Sequence, residues 1–481
     1  MTATAAPRWG RQASIVQPRQ PAFWLYCGLL AIGGVLFLHE QALMAGLATA
    51  WLLSWALVLA YAVPVALVVY RLDLFEREPK LMLAAAVIWG GVVATSLATY
   101  ANAAWLSVVG KLASPDFASQ WGAAIVGPGV EETLKLMGVV TLFLIASSEF
   151  DGVLDGFVYG ALVGLGFTVV EDVSYFISAV AAVPGAVDQA GPVLDTFVIR
   201  VVAGGLYGHV LFTGLTGMGF AYLVTQRAVE FPRRLAGAGL CIAAGVAAHA
   251  VWNSPWMDSI LETTGGTSPG VVQWIAYGTL KGVPFLILLG VLVVLATRSE
   301  ERNYRAIVAG EPDPMVVSSD EMRSLGSLWA RRSARVAARR RHGPLAGRLT
   351  GQLQAAQIEY AMIRSRSESL DDPALVAQRM KIRSIRAARV GIPFVPTMPE
   401  AMAVPAVLPS GPPIAQPGVQ IYLVPPGGMA AWLTPDASRL PVLVLPERLE
   451  VVVEARNGAW AQVRAAYEWR GWVDGRLLVE R

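Results

Sequence analysis

The sequence predicts an all-α polytopic membrane protein of about eight transmembrane helices, followed by an Arg-rich helical cytoplasmic segment and a small all-β domain. Three observations carry this. The 481 residues are 55% hydrophobic and only 15% charged, with a mean hydropathy of +0.51, whereas a soluble domain is about 25% charged. Eight apolar segments approach the ~20 residues that a spanning helix needs. Beyond residue 296 the chain turns polar, then strand-like. A wholly soluble protein is excluded. Cys27 and Cys241 both lie in apolar segments, so they read as small buried hydrophobes and imply no disulfide framework.

Residues 1–21 form an arm with Arg8, Arg11 and Arg19. The membrane part, 22–297, has apolar segments at 22–38, 43–70, 81–109, 123–146, 153–183, 193–224, 235–256 and 271–296. The first resembles a secretory signal, with Ala48-Thr49-Ala50 as a cleavage site. A second apolar segment follows at once, so a retained span is expected. Lys and Arg set the orientation. They gather in the arm, in the loop with Arg71, Arg77 and Lys80, and in the loop with Arg227, Arg233 and Arg234. The alternate loops hold little beyond Lys111, with Arg200 near the start of span six. Both termini are therefore expected on the cytoplasmic side of the plasma (inner) membrane.

Residues 298–390 are rich in helix formers. From Asp320 to Arg389 there are 15 Lys and Arg against 6 Asp and Glu, a net +9. The cluster Arg335, Arg339, Arg340 and Arg341 suits anionic lipid, or it is a solvated helical face that doubles as a topology signal. Nucleic acid is the least favoured partner, because aromatic residues are sparse there. Residues 391–418 read as a Pro-rich, extended linker. Residues 419–481 read as short strands, with a Val-rich run ending at Ala455, a turn at Asn457-Gly458, then Trp460-Ala461-Gln462-Val463 and Gly471-Trp472-Val473. This order, GxWxxV followed by GWV, resembles the bacterial SH3-like module, a small all-β barrel. Trp460 and Trp472 would either line a groove for a peptide or protein ligand or fill the core of so small a barrel.

The chemistry lies in the membrane part. Glu131, Glu132 and Lys135 fall within five residues of one apolar segment. Each charge at bilayer depth costs roughly 2.5–3.5 kcal/mol on insertion scales. An ion pair that only glued helices together would need one acid, not two. Successive residues point about 100° apart on a helix, so the two glutamates cannot do identical jobs. Lys135 lies one turn from both. Gly127, Pro128 and Gly129 just upstream should kink or loosen the helix and admit water. The next span places Phe167, Glu171 and Tyr175 on one stripe, with Asp172 beside it, and its Gly156, Gly160, Gly164 and Gly166 permit close helix approach. His209 lies in the sixth span, and His249 and Asn253 share one face of the seventh. A lone intramembrane histidine usually bonds helices together; two of them beside separate carboxylates indicate a hydrolytic site. Peptide-bond hydrolysis needs an activated water, a stabilised oxyanion and a protonated leaving amine, and residue types for all three are here.

Glu131-Glu132-x-x-Lys135, Asp155-Gly156-x-x-Tyr159-Gly160 with Gly166-Phe167-x-x-x-Glu171-Asp172, Arg200 with His209, and His249-x-x-x-Asn253 together resemble the PrsW family of intramembrane proteases. That family is similar to the CAAX-processing and bacteriocin-immunity proteases, whose second motif is FxxxH; here it is Phe167-x-x-x-Glu171. The resemblance implies an intramembrane endopeptidase acting on a membrane-protein substrate in the bilayer. It implies Glu131 as water-activating base, Glu132 as its partner or a metal ligand, and Lys135 as charge balance. Glu171, His209 and His249 would bind the water or the metal, and Asn253 would be an oxyanion donor or a support for His249. A divalent metal, zinc by donor type, would take Glu132, Glu171, His209 and His249. No HExxH signature exists, and a metal-independent glutamate site fits the set equally well. The family's role in envelope-stress signalling stands as an analogy. A proton- or ion-coupled transporter and an inactive scaffold that recruits partners through the SH3-like module are the alternatives.

Overall fold

Apolar sequence becomes helix throughout the membrane part of the computed structural model, which describes residues 14–72, 78–184, 187–205, 207–257, 271–311, 313–325, 328–390, 420–425, 428–432, 434–436, 443–445, 447–464 and 470–481. The Pro-rich linker lies outside the described residues. Helix α1 is Pro21–Met44 and α2 is Ala48–Leu72. Helix α3, Lys80–Ile88, passes through a π-helical turn, Trp89–Ala94, into α4, Thr95–Leu112. Then come α5, Pro115–Ile145, and α6, Val153–Ala181. Helix α7, Gly191–Phe197, runs into a second π-helical turn, Val198–Ala203, before α8, Gly208–Thr225. Helix α9 is Phe231–Asn253 and α10 is Val271–Val308.

Each of the eight apolar segments is therefore helical, but the expected count of eight spans is not what length and composition give. Among the described residues, six helices are long and apolar enough to cross a membrane, or seven if α7 and α8, bent by 43°, form one broken span. Helix α5 is not among them. Glu131, Glu132 and Lys135 lower its hydropathy, so the residues that make it interesting remove it from the count.

Local chemistry fixes the ends. Ser114 caps α5 by accepting from the Phe117 amide (3.1 Å), with Pro115 at the first helical position and Asp116 in the first turn. Asp155 Oδ2 accepts from the amides of Asp151 and Gly152 at the start of α6 (2.8 and 2.7 Å), and the residue is buried. Beyond α6, the Asp188 carboxylate accepts from the Thr49 and Ala50 amides at the start of α2 (2.7 and 2.9 Å). Those backbone hydrogen bonds, Thr49 first, hold its pKa below the ordinary carboxylate range. Gly127, Pro128 and Gly129 lie within α5, which runs through Pro128 as one helix. A proline leaves a carbonyl one turn back without its helical donor, a need that a neighbouring helix can meet inside a membrane. The carbonyl so freed by Pro128 is that of Ala124; the Asn253 amide donates next to it, to the Ala123 carbonyl (3.1 Å).

Helix α6 is the centre of the bundle: 89% of its most apolar stretch is buried, against 11% for α1 and α10. Its glycines let it touch two neighbours backbone to backbone. A Cβ on Gly156 would stand 2.3 Å from the Gly217 carbonyl oxygen, and one on Gly164 2.1 Å from that of His209. On another side, a Cβ on Gly166 would meet the Val87 carbonyl at 2.1 Å and one on Gly90 the Val163 carbonyl at 1.9 Å. Trp89 of the first π-helical turn donates its indole N–H to the Leu134 carbonyl of α5 (2.9 Å). Gly138 makes room for that ring, since a Cβ there would lie 2.3 Å from it.

The chain divides into two compact units, residues 1–333 with 357–376, and residues 334–356 with 377–481. The polar region after α10 is helical as expected, at Ser319–Leu325, Leu328–Arg366 and Pro373–Val390, the long one interrupted at Gly343 (φ 85°). In the second unit, β1 (Ile421–Leu423), β2 (Met429–Trp432), β3 (Leu443–Leu445), β4 (Glu450–Asn457), β5 (Trp460–Arg464), β6 (Arg470–Asp474) and β7 (Val479–Glu480) form one sheet. It is antiparallel, in the order β3-β2-β6-β5-β4-β1-β7. Gly458 takes the left-handed conformation (φ 61°) in the expected β4–β5 turn. The core is aliphatic, with Val451, Ala461, Val463 and Val473 fully buried. Trp460 and Trp472 alternate out of it. Trp432 pairs across strands with Trp472 and packs edge-on against Trp460, centroids 4.9 Å apart. The three tryptophans thus occupy the face opposite the core.

Gly164→Ala should destabilise the protein by about 1–3 kcal/mol through overpacking at the α6–α8 contact. Gly28→Ala, where a Cβ meets nothing within 4 Å, should leave stability unchanged. Thermal unfolding of both variants in detergent checks this.

Candidate active site

Lys135 is fully buried and its ammonium is the hub of the site. Its Nζ lies 3.1 Å from Glu131 Oε2, 3.0 Å from Glu132 Oε1 and 2.8 Å from His209 Nδ1. It also sits 3.7 Å from the centre of the Phe167 ring. Glu131 and Glu132 are buried, and their remaining oxygens face different helices. Glu131 Oε1 accepts from the Asn102 amide of α4 (3.0 Å), and Glu132 Oε2 from the Thr213 hydroxyl of α8 (2.9 Å). The 100° between successive side chains thus becomes two distinct environments.

The histidines are oriented by their partners. An ammonium can only donate, so His209 Nδ1 accepts from Lys135 and Nε2 carries the proton, which it donates to Glu171 Oε2 (3.0 Å). His249 Nδ1 lies 3.1 Å from Glu132 Oε1, so the proton belongs on Nδ1; Nε2 then presents its lone pair 3.7 Å from Glu131 Oε2. The His249 ring stacks on Phe212, centroids 4.8 Å apart, and is 4.8 Å from the His209 ring.

A second network adjoins this one. Arg200, on the second π-helical turn, donates to Glu171 Oε2 (3.2 Å) and Asp172 Oδ1 (3.0 Å) and lies 3.6 Å over the Tyr175 ring. Tyr61 of α2 donates to Asp172 Oδ2 (2.7 Å). The stripe Phe167, Glu171 and Tyr175 thus serves Lys135, His209 and Arg200 in turn. A cavity of about 240 Å³ opens beside it, lined by Glu171, Arg200, His209, His249 and Asn253 among others. Glu131 and Glu132 do not line it; they lie behind the histidines.

All seven residues expected at the site occur here, six in one connected set and Asn253 at its edge. Asn253 does not touch His249 through a hydrogen bond; its amide is spent on α5. Sequence reading missed Asn102 and Thr213. Asn102 carried a signal, an amide in an apolar span. Thr213 carried none, since threonines often satisfy themselves on their own helix.

Glu131, His209 and His249, all buried, each offer one donor atom, and these atoms lie within 4.8 Å of one another. Two imidazoles and a carboxylate fit a divalent ion such as zinc by type. The expected set included Glu132 and Glu171 instead of Glu131. The oxygens of Glu132 are taken by Lys135, His249 and Thr213, and Glu171 faces Nε2 of His209 on the side away from Lys135, bonded to Arg200. Were an ion bound there, Glu132 would support it from outside, by fixing the tautomer of His249. Lys135 is the group with which an ion would compete, because its ammonium lies on His209 Nδ1.

Buried carboxylates, imidazoles and a lysine, gathered from four helices of an apolar bundle, make this a multi-pass membrane protein with a hydrolase-like polar centre. Residues 78–305, just under half of the chain, match the model of the PrsW family intramembrane metalloprotease. The match runs from just before α3 into the last turn of α10 and supports that family for this part of the chain. No curated protein and no solved structure matches.

Lys135→Met should destabilise the protein by about 3–5 kcal/mol, because it strands two buried carboxylates without their counter-charge. Adding Glu131→Gln and Glu132→Gln should restore most of that loss. Thermal unfolding of the single and triple variants in detergent measures both.

Proposed function

We propose that this protein is an intramembrane endopeptidase that hydrolyses a peptide bond of a membrane-anchored protein. The observation that carries the reading is the Glu131–Glu132–Lys135 cluster meeting His209 and His249 within the segment that matches the protease family. The Glu131 carboxylate, oriented by Lys135 and Asn102, takes a proton from water. The water oxygen forms a bond to the scissile carbonyl carbon, and the carbonyl π pair moves to oxygen. When the C–N bond breaks, Glu131 returns the proton to the leaving amine. Glu132 holds His249 with its Nε2 lone pair toward Glu131. Glu171 and Arg200 hold His209 and border the cavity, which suits the substrate backbone, and Asn253 braces α5 beside the base. A divalent ion on Glu131, His209 and His249 would polarise the water or the carbonyl.

The remaining assignments rest on the sequence. Lys and Arg in alternate loops favour eight spans, α5 included, with both termini cytoplasmic in the plasma membrane. The Arg335–Arg341 region suits anionic lipid headgroups, and the SH3-like sheet, with its outward tryptophans, suits a peptide or protein ligand. Envelope-stress signalling is the biological setting by analogy with the family. No specific observation favours a transporter or an inactive scaffold.

Membrane-protein terminomics should find new amino termini in wild-type cells that are absent from a Glu131→Ala, Glu132→Ala double variant at matched expression. Identical termini in both strains, at rest and under envelope stress, would remove the proposal. Metal analysis of the purified protein should find one equivalent of divalent ion, lost in His249→Ala; its absence from an active preparation would make the site a glutamate-type one.

A further inference from the structure

We infer that Asn102 is a positioning residue of the hydrolytic reaction: its carboxamide fixes Glu131 through Nδ2–H and holds the attacking water through Oδ1. The inference rests on the protease reading above.

Asn102 lies on α4, outside the four sequence motifs and 29 residues from its partner. Its Nδ2 donates to Glu131 Oε1 at 3.0 Å, while Lys135 donates to Glu131 Oε2 at 3.1 Å. Both oxygens of the base are thereby oriented, and Oε1 is the one free of the ammonium. The other half of the amide is unused. Asn102 Oδ1 is buried and has no hydrogen-bond partner among the described residues. A buried carbonyl oxygen without a donor carries a desolvation cost, and a membrane span is a poor place to keep one without reason.

An attacking water has two hydrogens. Glu131 removes one. The second needs an acceptor that holds the water in place without deprotonating it, and a neutral amide oxygen does that. The Asn102 carboxamide offers this acceptor on the same rigid group that grips the base. Nδ2–H to Glu131 Oε1, Oε1 to the first water hydrogen, and the second water hydrogen to Oδ1 close a ring of hydrogen bonds. In the step itself, the first proton passes to Glu131 and the water oxygen bonds to the scissile carbon. The carbonyl π pair moves to oxygen, and the second hydrogen stays on the former water oxygen. Asn102 is neither oxidised nor protonated.

The backbone explains why α4 can deliver this residue. The π-helical turn Trp89–Ala94 precedes it, anchored on α6 by Gly90 and Gly91 and on α5 by Trp89. That turn sets the rotation of α4, and so the face on which Asn102 lies.

The test uses the full-length enzyme in proteoliposomes, with the transmembrane protein whose wild-type-only terminus the terminomic comparison identifies. Asn102→Leu matches the size of asparagine without its polar atoms. Its turnover at saturating substrate should fall about 100-fold, with KM within twofold of wild type. Asn102→Gln, which keeps both polar arms, should recover at least a tenth of wild-type turnover. Asn102→Thr, polar but too short to reach Glu131, should behave like the leucine variant and replaces it if that variant does not fold. Wild-type turnover in Asn102→Leu or Asn102→Thr would overturn the inference. So would a rise in KM that accounts for the loss, or an equal loss in Asn102→Gln. Glu131→Gln separates the two levels of the argument. If it is as active as wild type, the reading of the site fails; if it is inactive while the Asn102 variants are normal, only this inference fails.

Discussion

One ammonium group makes the membrane bundle possible. Lys135 meets two carboxylates and an imidazole at 2.8–3.1 Å and rests on an aromatic face. Without it, Glu131 and Glu132 would be two like charges on adjacent residues in a medium that tolerates neither. With it, the ammonium, the two carboxylates and the His209 imidazole form one cluster, further satisfied by Asn102, Thr213 and His249. The helices that supply these groups, α4, α5, α8 and α9, are held to one arrangement because moving any of them away would expose an unpaired polar atom to hydrocarbon. Specificity of packing and chemical readiness have the same cause.

Glycine supplies the other half of the arrangement. The α6–α8 contact is made backbone to backbone at Gly156 and Gly164, and the contact with the first π-helical turn at Gly90 and Gly166. Such contacts have no side chains that can adjust, so the spacing between helices is fixed by the van der Waals radii of main-chain atoms. His209 stands directly at one of them, opposite Gly164. The backbone contact thus brings His209 beside the helix that carries Glu171, with which its ring bonds at 3.0 Å.

Most of the site was legible in the sequence, because charge inside an apolar segment is costly and therefore conspicuous. Glu131, Glu132, Lys135, Glu171, His209 and His249 could all be named from that argument alone, and the stripe Phe167–Glu171–Tyr175 from helical spacing. What could not be read was the pairing between helices. The spacing of Glu131 and Glu132 shows that they differ, but not that one meets Asn102 and the other Thr213. Nor could it be read that Asn253 donates to the Ala123 carbonyl, 130 residues away, in the turn before Pro128. The span count depended on α5, whose three charged residues mask its apolar character. In the sheet, the size of the tryptophans suggested core, but strand alternation gave the core to alanines and valines.

The two π-helical turns have an evolutionary corollary. Each holds one residue more than a regular α-helix would over the same rise. Loss of one codon within Trp89–Ala94 would repair the helix locally and remove an irregularity. Because the wide turn absorbs its extra residue, that loss would leave the rise and rotation of α4 downstream unchanged, with Asn102 still on its carboxylate. It would instead reshape the turn itself, where Trp89, Gly90 and Gly91 meet α5 and α6. In Val198–Ala203 the turn carries Arg200, so the same loss would move the residue that pairs with Glu171 and Asp172. These segments are thus places where the more regular helix is the less useful one.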